Sequence, residues 1–283
     1  MISAILSLAM VIAQFVRYSH WSVRMFDFPV KQVAIAHLLI TVLNILLGQY
    51  NPDELSMITI AVGSIPTLIL LFKIWPYTPF HKKDVQDSSR KSNTEIKVMS
   101  SNVFMDNTNH QKLIDQVKKT EPDCLLLLET DAKWDEATRE LDTLYPYQIK
   151  YPLENTYGLL FFSKLKIHAP EIRFLLKSDI PSIRTRLEIS PNKFCWFYGV
   201  HPEPPSPTES DTSEPRDIEL LKLAREVRKL EEPIIFAGDF NDVAWSHTTR
   251  LFRRFSGLLD PRIGRGSFST FHVDYRILRW PLD

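Results

Sequence analysis

Chemistry is most legible at Ile234-Ile235-Phe236-Ala237-Gly238-Asp239-Phe240-Asn241-Asp242, where an apolar run closes on glycine, carboxylate and carboxamide. Side chains alternate along a strand, so Asp239 and Asn241 are expected to point the same way out of a sheet end. Gly238 gives the backbone freedom to turn or a ligand room to approach. A hard acceptor beside a neutral amide suits a divalent cation and a phosphate oxygen. Taken alone, Gly-Asp-Phe-Asn also fits a strand followed by an Asx-type turn.

Three other strand-like runs end in polar residues. Ile96 to Ser101 runs into Asn102, the apolar Cys124 to Leu128 into Glu129, and Phe194 to Val200 into His201. A carboxylate at the end of a wholly apolar strand is costly to desolvate unless a cation meets it. Each of these residues singly is an ordinary turn or strand-end residue. Together they make a set suited to metal-assisted phosphate chemistry, with a histidine titrating near neutrality to move or hold a proton.

These side chains must be positioned by a mixed α/β domain. Period-2 or continuous apolar runs predict strands at 95–102, 123–129, 157–163, 184–189, 193–201 and 233–239. Helical periodicity predicts helices at 109–119, 132–143 and 216–230. Residues 202–215 are rich in Pro, Ser, Thr and Glu and predict a mobile loop. Cys124 and Cys195 lie inside apolar runs and read as small buried hydrophobes, with no ligand spacing.

Residues 1–80 are of another kind. They carry only four basic and three acidic residues, against a chain total of 34 of each. Ile2–Val16, Gln32–Leu47 and Met57–Trp75 are apolar, and the latter two are long enough to cross hydrocarbon as helices. The region reads as a transmembrane helical anchor of two to three spans, a soluble helical bundle being the alternative. Arg17, Arg24 and Lys31 lie in the 17–31 connection, whereas 49–56 has no Lys or Arg. Basic residues favour the cytoplasmic side, which places 17–31 and the C-terminal domain there. A polar linker at 81–94 joins the anchor to a domain at 95–283. Zero net charge gives no global argument for nucleic acid.

The pieces Ser-Ser-Asn102, Leu-Leu-Glu129-Thr, Tyr-Gly-Leu-Leu-Phe-Phe-Ser-Lys, Gly-Val-His201 and Gly-Asp239-Phe-Asn241 stand in an order that resembles the endonuclease/exonuclease/phosphatase superfamily, the fold of deoxyribonuclease I. The likeness covers roughly 95–283, and Trp21 to Pro29 with the apolar segments around it resembles the bacterial membrane-anchored branch. It implies an α/β (α+β) fold, a two-layered β-sandwich flanked by helices in α/β/β/α order, and a phosphodiesterase, nuclease or phosphatase activity. It implies Mg²⁺, with Mn²⁺ as substitute, held by Glu129 with Asn102. Asp239 and Asn241 would orient phosphate and water, and His201 would act as acid or electrostatic partner. The partners implied are a phosphoester (nucleic acid, phospholipid headgroup or small molecule) and a lipid bilayer, the bacterial inner membrane.

Members of the superfamily carry an Asp-His pair within one strand and a second Asp-His close to the C terminus. Asp283, 44 residues past Asp239, fits the inner Asp of that pattern, and Asp274 fits it less well. The terminal dyad has no match, so a C-terminally truncated domain with impaired activity is expected, with a strand or two missing. A membrane-anchored scaffold that keeps the fold without catalysis is the alternative. Seven arginines against two aspartates in 250–279, Arg262 and Arg265 among them, suggest a phosphate-binding rim.

Overall fold

The computed structural model describes residues 2–48, 54–88, 95–275 and 278–282. The chain divides into two compact units whose segments alternate along the sequence. One comprises Met1–Gln86, Pro204–Asp217 and Asp242–Leu282, and the other Asp87–Glu203 and Ile218–Asn241.

The second unit holds both sheets. Strands β1 (Val98–Asn102), β2 (Cys124–Leu128), β3 (Tyr147–Tyr151) and β4 (Leu159–Ser163) form one sheet in the order β1-β2-β4-β3. Strands β5 (Lys166–Phe174), β6 (Pro181–Ser190), β7 (Lys193–Val200) and β8 (Ile234–Gly238) form the other, in sequence order. The pairs β1/β2 and β7/β8 are parallel and the remaining pairs antiparallel.

Strand β2 is buried at every position because both its faces are covered. Leu125 and Leu127 join Leu160 and Phe162 on one face. There they pack on Ile114 and Val117 of helix α5 (His110–Thr120) and Trp134 of helix α6 (Ala132–Ala137). Cys124, Leu126 and Leu128 point the other way and meet Ile183, Leu187, Cys195 and Phe197 of the second sheet. Helix α7 (Glu214–Val227) covers the outer face of that sheet, where Glu226 accepts a hydrogen bond from Tyr198 at 2.8 Å and pairs with Arg173 at 2.7 Å. The layers follow the expected α/β/β/α order. Both cysteines are buried and free, as their apolar surroundings suggested.

Three elements of 95–283 went unforeseen. In β3 only Ile149 is buried, so its apolar signal is weak. Strand β5 is an edge strand with Pro170, charged side chains and a register shift between His168 and Glu171, features that blunt an edge and hide its pattern. Helix α8 (His247–Ser256) is short, started by the Ser246 side chain accepting from Thr249 N and stopped by Gly257.

In the first unit, helices α1 (Ile2–Phe15), α3 (Val30–Gly48) and α4 (Glu54–Ile74) pack on one another, with the one-turn α2 (Trp21–Arg24) between α1 and α3. Ile12, Phe15, Leu39, Leu43, Ile65, Leu68 and Phe72 all face outward and exposed. Among the described residues Ile60–Tyr77 is long and apolar enough to cross a membrane, and Trp21–Asp27 with Val30–Leu43 forms a second candidate bent by 57°. The apolar helix Ala4–Phe15 is shorter.

The connections beside these helices are tied to the C-terminal segment. Trp245 Nε1 donates to Asp27 O at 2.7 Å, Tyr77 Oη to Ala244 O at 2.6 Å, and Arg253 pairs with Asp84 at 2.8 Å. The loop expected to be mobile is likewise held. Ser213 N donates to Ser19 O at 2.8 Å and Trp21 N to Asp211 O at 2.9 Å. Composition predicted mobility, but it could not reveal backbone partners almost two hundred residues away in the sequence.

Candidate active site

Parallel pairing brings the strand-end residues together. Asn102 pairs with Leu128 across β1/β2, so Glu129 emerges beside it, and Val200 pairs with Gly238 across β7/β8, so His201 and Asp239 emerge side by side. Asn102 Nδ2 donates to Glu129 Oε1 at 2.5 Å and to Asp239 Oδ2 at 3.1 Å, joining the ends of the two sheets. The orientation of that amide is set by Phe104 N, which donates to Asn102 Oδ1 at 3.1 Å. His201 Nε2 stands 4.0 Å from Glu129 Oε1, and the His201 ring lies 5.2 Å from the Tyr157 ring. His201 and Asp239 are buried, whereas the Glu129 side chain keeps 18% of its surface open to a ligand.

The backbone is strained at this point. Glu129 has φ 60° and Asn241 φ 50°, left-handed values that cost a non-glycine residue energy and tend to gather at functional sites. Gly238 has φ 140°, and a Cβ there would lie 1.9 Å from Val200 O, so only glycine lets β8 approach β7 and release Asp239.

Because β8 ends at Gly238, strand alternation does not carry on to Asn241. Its N–H donates to Asp239 Oδ1 at 2.8 Å, the Asx-type turn that Gly-Asp-Phe-Asn also allowed, and its Nδ2 donates to Pro202 O at 3.0 Å. Asn241 therefore braces Asp239 and the turn after His201. Arg262 and Arg265 belong to the other unit. Arg262 makes a two-pronged pair with Asp260 at 2.9 and 3.0 Å, and Arg265 donates to Pro261 O. Asp283 lies outside the described residues. Sequence reasoning missed Tyr157, although it opens the quoted Tyr-Gly motif, and it missed the backbone of Met105, which hydrogen-bonds Glu129.

Burial raises the Glu129 pKa and Asp239 adds to the rise, while the Asn102 amide and His201 oppose it. Burial likewise raises Asp239, against hydrogen bonds from Asn241 N and Asn102. Among the described residues neither carboxylate pairs with lysine or arginine, and no three His, Cys, Asp or Glu side chains form a ready metal cage. Two adjacent carboxylates, Asp239 buried and Glu129 half-buried, that among the described residues meet amides and an imidazole fit a cation that keeps much of its water, as Mg²⁺ does. A thiolate-preferring metal does not fit this oxygen-rich set.

Strand-end carboxylates, amides and a histidine thus meet where the two sheets of an α/β/β/α sandwich end. Residues 99–283 match the profile of the endonuclease/exonuclease/phosphatase family, and the chain belongs to that family. Solved structures with a similar arrangement include a truncated Caenorhabditis elegans TDP2 (18% identity, TM-score 0.44, 52% of this chain and 62% of that one). A β-hairpin deletion mutant of Staphylococcus aureus beta toxin is also similar (17% identity, TM-score 0.47, 59% and 75%). So is the human Nocturnin catalytic domain with bound sulfate (21% identity, TM-score 0.47, 57% and 70%). A search of curated protein sequences finds no match.

Proposed function

We propose that this chain is a membrane-anchored, divalent-metal-dependent phosphoester hydrolase. The observation that carries this reading is the half-buried Glu129 and buried Asp239 at two sheet ends, sharing the Asn102 amide and, among the described residues, pairing with no lysine or arginine. Glu129 would hold Mg²⁺ or Mn²⁺, and Asn102, whose amide nitrogen faces both carboxylates, would orient Glu129 rather than ligate the ion. The bound ion would supply Lewis-acid polarisation of the phosphoryl group and neutralise developing charge.

The remaining work falls to side chains. Asp239, with Oδ1 fixed by Asn241 N at 2.8 Å and Oδ2 by Asn102 Nδ2 at 3.1 Å, would accept from the attacking water through a remaining lone pair. His201, backed by Tyr157, hydrogen-bonds a phosphoryl oxygen and can deliver a proton to the leaving group. Asn241 holds the Pro202 carbonyl and so fixes the turn that presents His201.

The membrane part of the proposal is supported by apolar side chains exposed along α1, α3 and α4, too extensive a surface to leave in water. Basic residues in the 17–31 connection favour its cytoplasmic placement at a bacterial inner membrane. The bond from Trp245 to Asp27 O ties the 243–245 turn to that connection, which supports the same placement for it. Anchoring favours phospholipid headgroups or small phosphoesters over nucleic acid as substrate, since the chain's net charge is zero.

The test is hydrolysis of bis(p-nitrophenyl) phosphate by the full chain in detergent, with Mg²⁺, Mn²⁺ or EDTA, followed by a panel of DNA, RNA, phospholipids and inositol phosphates. Metal-dependent turnover that disappears in Glu129→Ala and Asp239→Ala is expected. No turnover on any substrate would leave a scaffold that keeps the fold.

A further inference from the structure

A cavity of about 360 Å³ opens at the C-terminal end of α1, within the first unit and among residues that take no part in the hydrolytic site. Its lining carries Arg17, Arg24, Arg250 and His247 against one carboxylate, Asp217. That carboxylate is already engaged by Arg216 Nη2 at 2.9 Å and Ser213 Oγ at 2.9 Å. Arg24 is likewise occupied, donating to Ala13 O, Val16 O and Tyr18 O and pairing with Asp27.

Arg17 and His247 make no hydrogen bond or ion pair among the described residues, and Arg250 makes one, from Nε to Ser246 O at 3.2 Å. Gln14, also in the lining, accepts from Lys73 through Oε1 and keeps a buried Nε2 donor without a partner. His247 and Thr248 form the first turn of α8, where the helix dipole is positive. Burial pushes the His247 pKa down, and Arg250, Arg17 and Arg24 push it further. The cavity therefore gathers more positive charge than its own carboxylate offsets. At its edge Phe15 and Tyr18 are 76% and 59% exposed, an apolar border beside the cations.

We infer that this cavity binds a phosphate ester anion, that of an anionic phospholipid headgroup, with Arg17, His247 and Arg250 on the phosphate and the acyl chains along α1. The volume matches a small-ligand pocket. Unpaired guanidinium groups and a helix N-terminus are the donors that phosphate selects. The lipid as source rests on the membrane reading above. The anion site itself rests on neither that reading nor the hydrolase.

The experiment is calorimetry or native mass spectrometry on the full chain in uncharged detergent, with dihexanoyl phosphatidylglycerol, dihexanoyl phosphatidylcholine and inorganic phosphate. Phosphatidylglycerol is expected to bind at least about tenfold more tightly than phosphatidylcholine. Arg17→Gln with Arg250→Gln should lose about tenfold in that affinity, His247→Gln less, and the exposed Arg254→Gln nothing. Binding without competition from inorganic phosphate identifies the lipid as ligand. Equal competition by inorganic phosphate keeps the anion site and overturns the lipid assignment. Equal retention of both lipids, or undiminished binding in the double variant, overturns the site.

Discussion

Asp239 and Asp242 stand three residues apart after β8, each almost closed to solvent, and burial raises the pKa of both, that of Asp242 to about 6. Their partners differ. Asp242 lies 3.4 Å from the buried Arg216 guanidinium and accepts from Ser246 Oγ at 2.5 Å and Val243 N at 3.0 Å. Among the described residues Asp239 receives the Asn241 N–H and the Asn102 amide, and it faces a second carboxylate, Glu129, across that amide. A carboxylate that holds structure is given a guanidinium. On the reading proposed above, one left to amides beside a like charge serves a cation that arrives from solution, and its isolation costs stability.

The comparison breaks most visibly on activity. Asp239→Ala and Glu129→Ala should each lower kcat/KM for a phosphodiester by about 1,000-fold or more, with thermal stability unchanged or raised. Next in size, Arg216→Met leaves Asp242 buried without its cation and should lower unfolding free energy by about 3–5 kcal/mol in chemical denaturation. If Glu129→Ala were destabilising to that degree, the distinction between the two aspartates would collapse.

Glu219 offers a third case. It is buried on α7, and burial pushes its pKa up to about 7, opposed among the described residues by Lys222. The folded pKa lies above the unfolded one, so the unfolded chain ionises first as pH rises from about 4.5. Stability is then highest below that pH, falls through the window to about 7 and stays low above it, by at most about 3 kcal/mol. Glu219→Gln should flatten this slope, and denaturation midpoints at pH 5 and pH 8 measure it. Smallest is the effect of metal on stability. Mg²⁺ at ten times its Kd should raise unfolding free energy by about 1.4 kcal/mol, a gain that EDTA removes.

Asn102, Glu129, His201 and Asp239 were legible in sequence because an apolar run that stops on a polar residue marks a strand end, whichever strands pair. That they converge was legible only by resemblance, since pairing of β1 with β2 and of β7 with β8 is a long-range fact. Alternation does not place Asn241, because it holds only while the strand lasts and Gly238 ends it; the hydrogen bonds to Asp239 and Pro202 O do. Arg216 escaped notice for a similar reason: its partner Asp242 is 26 residues away and nothing local links them. The cavity beside Arg17 was equally invisible, since the strong arginine signal at 250–279 is divided among Asp84, Asp260 and backbone carbonyls, with Arg250 at the cavity.

The most direct test of the central claim is Mg²⁺ titration by calorimetry of the full chain alongside Asp239→Asn, Glu129→Gln and Asp242→Asn. The account predicts saturable binding that disappears in the first two variants and persists in the folded fraction of the third. Undiminished binding in Asp239→Asn and Glu129→Gln would contradict it.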